Sequence, residues 1–266
     1  MEILTYATHA QGTLNALVNT HPTIRVGGWG HHWNNTMDKL LFVRDYCKTV
    51  PPRTIVIFID GFDTYINLDP SDAVRRFQED FDCDVLLSYA KVEKFFPPYL
   101  LKTVFGCTHS CPNTGMYMGY AESLIKLLNK AIEFGGDDDQ RAVYFASSGN
   151  KRVLIDTEMI IFRNLEINED VEESIDYDAV FIGTPGRIAY GNYKERLYSV
   201  RKTFHYVKFF TIELLCIFLG ICIGYMYNIP ITKATLIILS YMSMHFTGSP
   251  YIVFIAMFML GISLVQ

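Results

Sequence analysis

The sequence predicts an α/β domain with a mostly parallel sheet, followed by a C-terminal membrane anchor. Over about the first 200 residues, short apolar runs alternate with amphipathic segments, a pattern typical of buried parallel strands and their flanking helices. In residues 209–266, by contrast, only Glu213 and Lys233 are charged. We therefore predict a folded domain at residues 1–205 and an anchor at residues 206–266.

The first half of the domain contains two of the predicted strands. Residues 3–6 form a short apolar run, a helix is expected near residues 14–18, and residues 26–30 are a glycine-rich turn. Residues 36–47 carry apolar side chains at helical spacing, which predicts a second helix. Residues 54–59 are a β-branched run with no polar face, which indicates a strand buried on both sides.

The second half continues the alternation of helices and strands. Asp69 precedes a proline and an amphipathic segment, so it is expected to cap a helix that extends towards Phe81. A long helix is expected at residues 122–134, after a glycine-punctuated segment at residues 113–120. The remaining strands are predicted at residues 84–89, 153–155, 159–162 and 179–182.

Charge and the N-terminal sequence limit the expected partners and compartment. A net charge of −5 provides no basic face to displace counterions from phosphates, so nucleic acid is not an expected partner. The first residues contain no basic region and no apolar stretch of the secretory type. Because disulfides are rare in reducing compartments, we expect free thiols at Cys47, Cys83, Cys107 and Cys111.

The apolar tail predicts two or three membrane helices. Residues 209–229 are long enough to cross a hydrocarbon core, which takes about 20 apolar residues. The second apolar run is interrupted at Gly248-Ser249-Pro250, so we predict helices at residues 234–246 and 250–265, with one long kinked helix as the alternative. The expected partners of this tail are lipid and membrane or assembly proteins.

Basic residues just before the first apolar run predict the orientation of the domain. They are Lys194, Arg196, Arg201, Lys202 and Lys208. Positive charge next to a membrane span tends to stay on the cytoplasmic side. The domain is therefore predicted to be membrane-bound and to face the cytoplasm.

The strongest local signal is Asp60-Gly61-Phe62-Asp63, at the end of the predicted buried strand. Ligands of open α/β sheets bind at the carboxyl ends of the strands, and two nearby carboxylates can share one divalent cation, which prefers oxygen ligands. A cation held there could neutralise a diphosphate leaving group. Alternatively, one aspartate caps the next turn and the other is solvated, because an isolated pair at this spacing is a weak motif.

A second signal is the acidic run Asp137-Asp138-Asp139, which follows a predicted helix and two glycines. Three adjacent carboxylates repel one another unless cations, donors or water compensate them. A solvated acidic loop is the alternative, and it is the usual outcome for an isolated run. Residues 113–119 contain two glycines, which indicates that the backbone passes close to another group.

Taken in order, these segments resemble a known family. They are similar to the glycosyltransferase domain of the procollagen lysyl hydroxylases and of related collagen glycosyltransferase-like proteins. The resemblance extends from about residue 3 to residue 193, nearly all of the predicted soluble part. Its landmarks are the helix that contains Lys39 and residues 4–8, 26–29, 58–64, 87–90, 113–119, 137–140, 155–156, 161–165 and 189–192.

The resemblance implies a GT-A fold that binds a UDP-sugar together with Mn²⁺. Asp60 and Asp63 would hold the metal ion. Phe62 occupies the position at which the family has a tyrosine against the uracil. Thr8 and Lys39 would also contribute to binding of the donor nucleotide.

The resemblance also implies which residues form the sugar and acceptor pocket. Asp138, Asp139 and Asn113 would line this pocket as the catalytic residues. Gly191 and Asn192 match the segment that closes over the diphosphate in the family.

One departure from the family concerns the metal site. A histidine usually precedes the Gly191-Asn192 pair and completes the metal site, whereas this chain has Tyr190. A neutral phenol is a poorer ligand for Mn²⁺ than imidazole. The substitution is therefore expected to weaken metal binding or to abolish catalysis.

Two functions follow from the sequence. The first is a membrane-anchored glycosyltransferase that transfers a hexose from a UDP-sugar to a protein or glycan acceptor with Mn²⁺, retaining the anomeric configuration as the family does. The alternative is a catalytically inactive, glycosyltransferase-like module with a structural or assembly role at a membrane. The Asp60 and Asp63 pair and the acidic run at residues 137–139 favour the enzyme, whereas Tyr190 and the long apolar tail favour the module.

Removal of residues 209–266 tests the predicted anchor. The remaining chain is expected to be folded and soluble without detergent, because the pattern that builds a core ends before the basic residues. Partition of both chains between detergent and aqueous phases measures this. A truncated chain that requires detergent, beside a full-length chain that stays in the aqueous phase, would contradict the prediction.

Overall fold

The computed structural model describes residues 1–90, 107, 110–165 and 178–185. Apart from Cys107, these residues belong to one compact unit. The strands are β1 (Glu2–Tyr6), β2 (Arg25–Gly27), β3 (Ile55–Ile59), β4 (Thr64–Ile66), β5 (Val85–Tyr89), β6 (Pro112–Tyr120), β7 (Val153–Asp156), β8 (Phe162–Asn164) and β9 (Phe181–Gly183). The helices are α1 (Leu14–Thr20), α2 (Met37–Cys47), α3 (Pro70–Asp80), α4 (Ala121–Phe134) and α5 (Asp139–Ser147).

The predicted membrane anchor lies outside the described residues, as do the basic residues before it and the predicted boundary at residues 205 and 206. Within the described ranges, no helix has the length and apolar character needed to cross a membrane. The anchor therefore stays a prediction from the sequence.

Six strands form the main sheet, in the order β2-β1-β3-β6-β5-β7. β1 pairs in parallel with β2 and β3, and β5 pairs in parallel with β7. β6 runs antiparallel to both of its neighbours, β3 and β5. All five residues of β3 are buried, as its continuous apolar run predicts. The prediction of an α/β fold with a mostly parallel sheet is confirmed.

Helices cover both faces of this sheet. On one face, α2, α4 and α5 contribute Leu40, Leu124 and Val143 to a single buried cluster. On the other face, α1 and α3 contribute Leu17 and Phe77 to a second cluster. Full burial of a large apolar side chain stabilises a fold by about 1.5–3 kcal/mol, so these two clusters fix the positions of the helices on the sheet.

A second, three-stranded sheet with the order β4-β9-β8 follows the Asp60-Gly61-Phe62-Asp63 motif. Its first strand begins at Thr64, directly after Asp63. Thr184 donates hydrogen bonds to the carbonyl oxygen of Asp63 from its backbone N–H, at 2.7 Å, and from its hydroxyl, at 3.1 Å. The loop with the two aspartates is therefore held between β3 of the main sheet and β4 of the second sheet.

Several elements differ from the prediction. β6 is a nine-residue strand where only a glycine-punctuated segment is predicted, and β8 begins at the last residue of the strand predicted at residues 159–162. β2 lies in part where a glycine-rich turn is predicted, β4 is not predicted, and α5 begins within the acidic run. β2 and β4 have only three residues each, too few for a periodic pattern to show. Aspartates favour the positive end of a helix as well as loops, so the acidic run does not distinguish a loop from the start of α5.

The cysteine prediction is correct for two of the four residues. Cys47 and Cys83 are buried free thiols, and burial raises the pKa of each to about 12. Cys107 and Cys111 are disulfide-bonded, so the prediction of free thiols is wrong for these two. The prediction of free thiols followed from the expected reducing compartment. Sequence spacing alone does not show which cysteine side chains lie close enough to form a disulfide. The cytoplasmic orientation stays a prediction, and an oxidising compartment is where disulfides usually persist.

Gly119 of β6 tests the packing at the centre of the main sheet. A Cβ atom there would lie 2.6 Å from the carbonyl oxygen of Asp84 and 2.9 Å from Cγ2 of Val85. Because a backbone oxygen cannot rotate away, Gly119→Ala is expected to lower the free energy of unfolding by about 1–3 kcal/mol. Denaturant titration measures this.

Lys126→Ala, on the exposed face of α4, is the control for Gly119→Ala. It is expected to change the free energy of unfolding by less than about 0.5 kcal/mol. If both variants unfold at the denaturant concentration that unfolds the parent chain, the close contact at Gly119 is not present in solution.

Candidate functional site

The candidate site lies where β3 ends, at the carboxyl edge of the parallel strands. The backbone N–H of Asp60 donates a hydrogen bond of 2.7 Å to the carbonyl oxygen of Gly115 in β6. A Cβ atom on Gly115 would lie 2.8 Å from Oδ1 of Asn113 and 3.1 Å from Oδ2 of Asp60. Only glycine therefore allows these two side chains to approach each other across β6.

A buried ammonium group connects Asp60 to the acidic run. Nζ of Lys39 in α2 lies 2.9 Å from Oδ2 of Asp139 and 3.5 Å from Oδ2 of Asp60. The side chains of Lys39 and Asp139 are only 9% and 7% exposed, whereas that of Asp60 is 33% exposed. The hydroxyl of Thr114 donates a further hydrogen bond, of 2.5 Å, to Oδ2 of Asp139. Lys39, Asp60 and Asp139 form what we call the charge centre.

The charges of this centre shift its pKa values in a consistent way. Burial alone would lower the pKa of Lys39, but the negative charges of Asp139, Asp60 and Asp63 outweigh it and raise that pKa. Burial raises the pKa of Asp60, the charge of Lys39 offsets part of this rise, and Asp139 adds to it. The ammonium group of Lys39 is thus shared between the carboxylates of Asp60 and Asp139, and it lies closer to Asp139.

Asp138 and Asp139 differ in position although they are adjacent. Asp138 is exposed and caps α5, accepting a hydrogen bond of 3.1 Å at its Oδ1 from the backbone N–H of Arg141. Asp139 is the first residue of α5 and points into the charge centre. Thr36, just before α2, accepts a hydrogen bond from the N–H of Asp139 and donates one to the carbonyl oxygen of Asp137. The starts of α2 and α5 are thereby joined.

The predicted nucleotide residues lie at the same edge of the sheet. Thr8 follows β1, and its carbonyl oxygen accepts a hydrogen bond of 3.0 Å from the N–H of Gly30. The half-buried ring of Phe62 lies beside the ring of His9, with 5.4 Å between the ring centroids. Gly191 and Asn192 lie outside the described residues.

Sequence reasoning missed Thr114, Thr36 and His9. A lone threonine or histidine carries no pattern in the sequence, and each of these three is recognised only from its partner in the fold. The segment around Thr114 was singled out for its glycines, which is the one signal that pointed to its neighbourhood.

Asp156 shows that not every landmark of the resemblance belongs to the site. Its buried carboxylate accepts hydrogen bonds of 2.8–2.9 Å from the backbone N–H groups of Ile160, Ile161 and Phe162. Its contacts are structural, since they hold the turn between β7 and β8.

The aspartates offer the oxygen ligands that a hard cation prefers. Asp60 and Asp63 lie on one loop, at the two ends of the Asp60-Gly61-Phe62-Asp63 motif. In the part of the chain that the structure describes, however, no three histidine, cysteine, aspartate or glutamate side chains converge as a complete protein metal site would. A cation bound by these two aspartates would take its other ligands from a bound substrate or from water.

A family model matches most of the domain that carries this site. The model described as the PLOD GT domain matches residues 4–184 of the chain, which include all of the charge centre. The chain belongs to this family. The resemblance inferred from the sequence is thus confirmed, and the chain contains a glycosyltransferase-like domain.

Individual proteins are similar to this PLOD GT domain. A multifunctional procollagen lysine hydroxylase and glycosyltransferase of Caenorhabditis elegans is 28% identical over 184 residues, which cover 61% of this chain and 24% of that protein. The chain thus spans about a quarter of the length of this relative.

Among solved structures, a glycosyltransferase involved in the glycosylation of the major capsid of PBCV-1 is similar at 12% identity, covering 71% of this chain and 95% of that chain, with a TM-score of 0.46. The galactosyltransferase LgtC, in complex with donor and acceptor sugar analogs, is similar at 11% identity. The match covers 70% of this chain and 88% of the LgtC chain, with a TM-score of 0.44.

Replacement of Lys39 tests the charge centre of this PLOD GT domain. Lys39→Met would leave buried carboxylates without their cation, so we expect the free energy of unfolding to fall by about 3–5 kcal/mol at pH 7. The loss should shrink between pH 7 and pH 5. The pKa of Asp60 is already raised above its unfolded value and would rise further without Lys39, so the folded state binds more protons than the unfolded state and gains stability as the pH falls.

Lys48→Met is the matched control for this experiment. Lys48 forms an exposed ion pair with Asp45, at 2.8 Å, and such pairs contribute less than about 1 kcal/mol. Denaturant titration at both pH values gives the comparison. Equal losses for the two variants, or a loss for Lys39→Met that does not depend on pH, would mean that the charge centre does not form as described.

Proposed function

We propose that this chain is a glycosyltransferase that transfers a hexose from a UDP-sugar to a protein or glycan acceptor with Mn²⁺. The observation that carries the proposal is the charge centre, in which a buried lysine and several carboxylates meet at the carboxyl edge of the sheet. Membership of the PLOD GT domain family supports the reaction class. The names of the similar solved structures refer to the same class of enzyme.

Asp60 and Asp63 would hold the Mn²⁺ ion, which supplies positive charge against a diphosphate leaving group. The fit rests on this chain's own charges, because the ammonium group of Lys39 is shared between Asp60 and the closer Asp139. Gly115 leaves space beside Oδ2 of Asp60. The loop is fixed by hydrogen bonds from Thr184 to Asp63, so the two carboxylates need not reorganise to bind.

Asp139 and Asn113 would orient the transferred sugar and the acceptor. Lys39 and Thr114 both contact Oδ2 of Asp139, so this carboxylate is held in one orientation. The amide of Asn113 is fixed by a hydrogen bond of 2.7 Å from the N–H of Gly115 to its Oδ1. Groups whose positions are fixed before the substrate arrives lose less entropy on binding it.

The remaining predicted residues take roles around this centre. Asp138 lies at the exposed start of α5, where it would reach the acceptor side of the pocket. Phe62 and Thr8 would bind the nucleotide. Gly191 and Asn192 would close over the diphosphate. We also propose that residues 206–266 anchor the enzyme in a membrane and contact lipid or other membrane proteins.

Replacement of the two loop aspartates tests the proposal. Asp60→Asn and Asp63→Asn should each weaken Mn²⁺-dependent binding of UDP by at least about tenfold, since the loss of even an outer-shell partner of a metal costs this much. The fold should persist, because an amide fills the same space and the side chain of Asp60 is 33% exposed. Calorimetric titration of UDP with and without Mn²⁺ measures binding, and thermal unfolding measures the fold.

Asp72→Asn, on the surface of α3, is the control and should bind UDP as the parent chain does. Release of UDP from UDP-glucose and UDP-galactose, in the presence of Mn²⁺, then distinguishes an enzyme from an inactive module. If the parent chain binds no UDP at millimolar Mn²⁺ and the Asp60 and Asp63 variants match it, the carboxylates are ordinary loop residues. The structural or assembly role would then be the better account.

A further inference from the structure

The loop after β1 is fixed between the two other loops of the candidate site. On one side, the N–H of Ala7 donates to the carbonyl oxygen of Gly27, and the N–H of Gly30 donates to that of Thr8, each at 3.0 Å. On the other side, Thr13 donates from its N–H to the carbonyl oxygen of Phe62 at 3.0 Å. The hydroxyl of Thr13 also contacts the carbonyl oxygens of residues 61 and 64. Residues 7–13 therefore have little freedom to move relative to either loop.

The imidazole of His9 projects from this fixed loop and is itself held at both nitrogens. Its Nδ1 lies 2.9 Å from the hydroxyl oxygen of Thr8, and its Nε2 lies 2.9 Å from Oε1 of Gln11. An amide oxygen only accepts hydrogen bonds. In the neutral ring, Nε2 therefore carries the hydrogen and donates to Gln11, while Nδ1 accepts from Thr8.

The ring of His9 contacts the ring of Phe62 at a tilt. The centroids are 5.4 Å apart and the planes meet at 48°, which is a direct aromatic contact with no space for a third ring between them. Phe62 has no polar atom in its side chain to fix its orientation. Its backbone is held by Thr13 and its ring is supported from one side by His9.

The position of Phe62 defines what could stack on its other face. It lies between Asp60 and Asp63 in the sequence, so a ligand whose diphosphate binds a cation held by those carboxylates would place its base near this ring. A flat base stacks on an aromatic side chain whatever the identity of the base, and a ring of fixed orientation binds it with less loss of entropy.

We propose that His9 is a positioning residue of the nucleotide-base site. It holds the phenyl ring of Phe62 in the orientation on which the base of a nucleoside diphosphate stacks, and Thr8 and Gln11 hold His9 in turn. Thr8 thereby acts on the nucleotide through His9. This inference rests on the proposed function, because it assumes that Asp60 and Asp63 hold the cation that binds the diphosphate.

Two ligands separate a contribution to the base from one to the diphosphate. UDP carries both groups, whereas inorganic pyrophosphate has no base. His9→Ala in the full-length chain should weaken Mn²⁺-dependent UDP binding by about tenfold, the range of one aromatic stacking contact, and leave pyrophosphate binding unchanged. His9→Phe keeps an aromatic ring against Phe62 and should return UDP affinity to within about twofold of the parent value. Calorimetric titration measures all of these affinities.

His9 is exposed, so its replacement should not unfold the domain, and thermal unfolding of each variant checks this. If His9→Ala weakens UDP and pyrophosphate equally, weakens neither, or removes Mn²⁺ binding in the absence of nucleotide, the inference is wrong while the proposed function stands. If His9→Phe binds UDP as poorly as His9→Ala, aromatic support of Phe62 is not the cause. If the parent chain binds neither UDP nor pyrophosphate, the proposed function and this inference both fail.

Discussion

The ammonium group of Lys39 connects three parts of the chain that are distant in sequence. It belongs to α2, its partner Asp139 begins α5, and Asp60 ends β3. A buried carboxylate is costly unless it is paired and hydrogen-bonded, so Asp139, whose side chain is 7% exposed, depends on Lys39 in this position. The apolar clusters place the two helices on the sheet, and this ion pair fixes how their ends meet at its edge.

The charge centre contains one positive and two acidic side chains. This difference bears both on its stability and on the cation that it could bind. Lys39 supplies one positive charge to the carboxylates of Asp60 and Asp139. The pKa of Asp60 is raised, chiefly by its burial and further by the charge of Asp139. Perturbed pKa values are concentrated at functional sites because binding or chemistry needs a charge that the folded chain leaves uncompensated. A cation at Asp60 and Asp63 would relieve this repulsion, so part of the repulsion in the free protein would contribute to cation affinity.

The sequence predicted the strands with continuous apolar runs and the helices with periodic patterns, and it predicted that the aspartates after β3 would lie at the sheet edge. It did not predict β6, the longest strand that the structure describes, because its glycines and polar residues interrupt any such pattern. It did not predict which carboxylate of the acidic run is buried. Asp138 and Asp139 have the same chemistry, and only the first turn of α5 directs one to solvent and the other to Lys39. Thr114 and the disulfides of Cys107 and Cys111 were missed for a similar reason, since each depends on contacts between residues that no local pattern specifies.

The two ends of the candidate site differ in their access to water, so their residues are expected to have different roles. Lys39 and Asp139 are almost fully buried, whereas His9 is exposed and Phe62 is half-buried. Electrostatic interactions are stronger where water is excluded, so charge that develops during bond cleavage would be stabilised most at the buried end. In the proposed reaction, contacts at the exposed end that are the same in the bound substrate and in the transition state would raise affinity without raising the rate of the chemical step. Under that proposal, changes at His9 should alter nucleotide affinity, whereas changes at Lys39 or Asp139 should alter the rate of transfer.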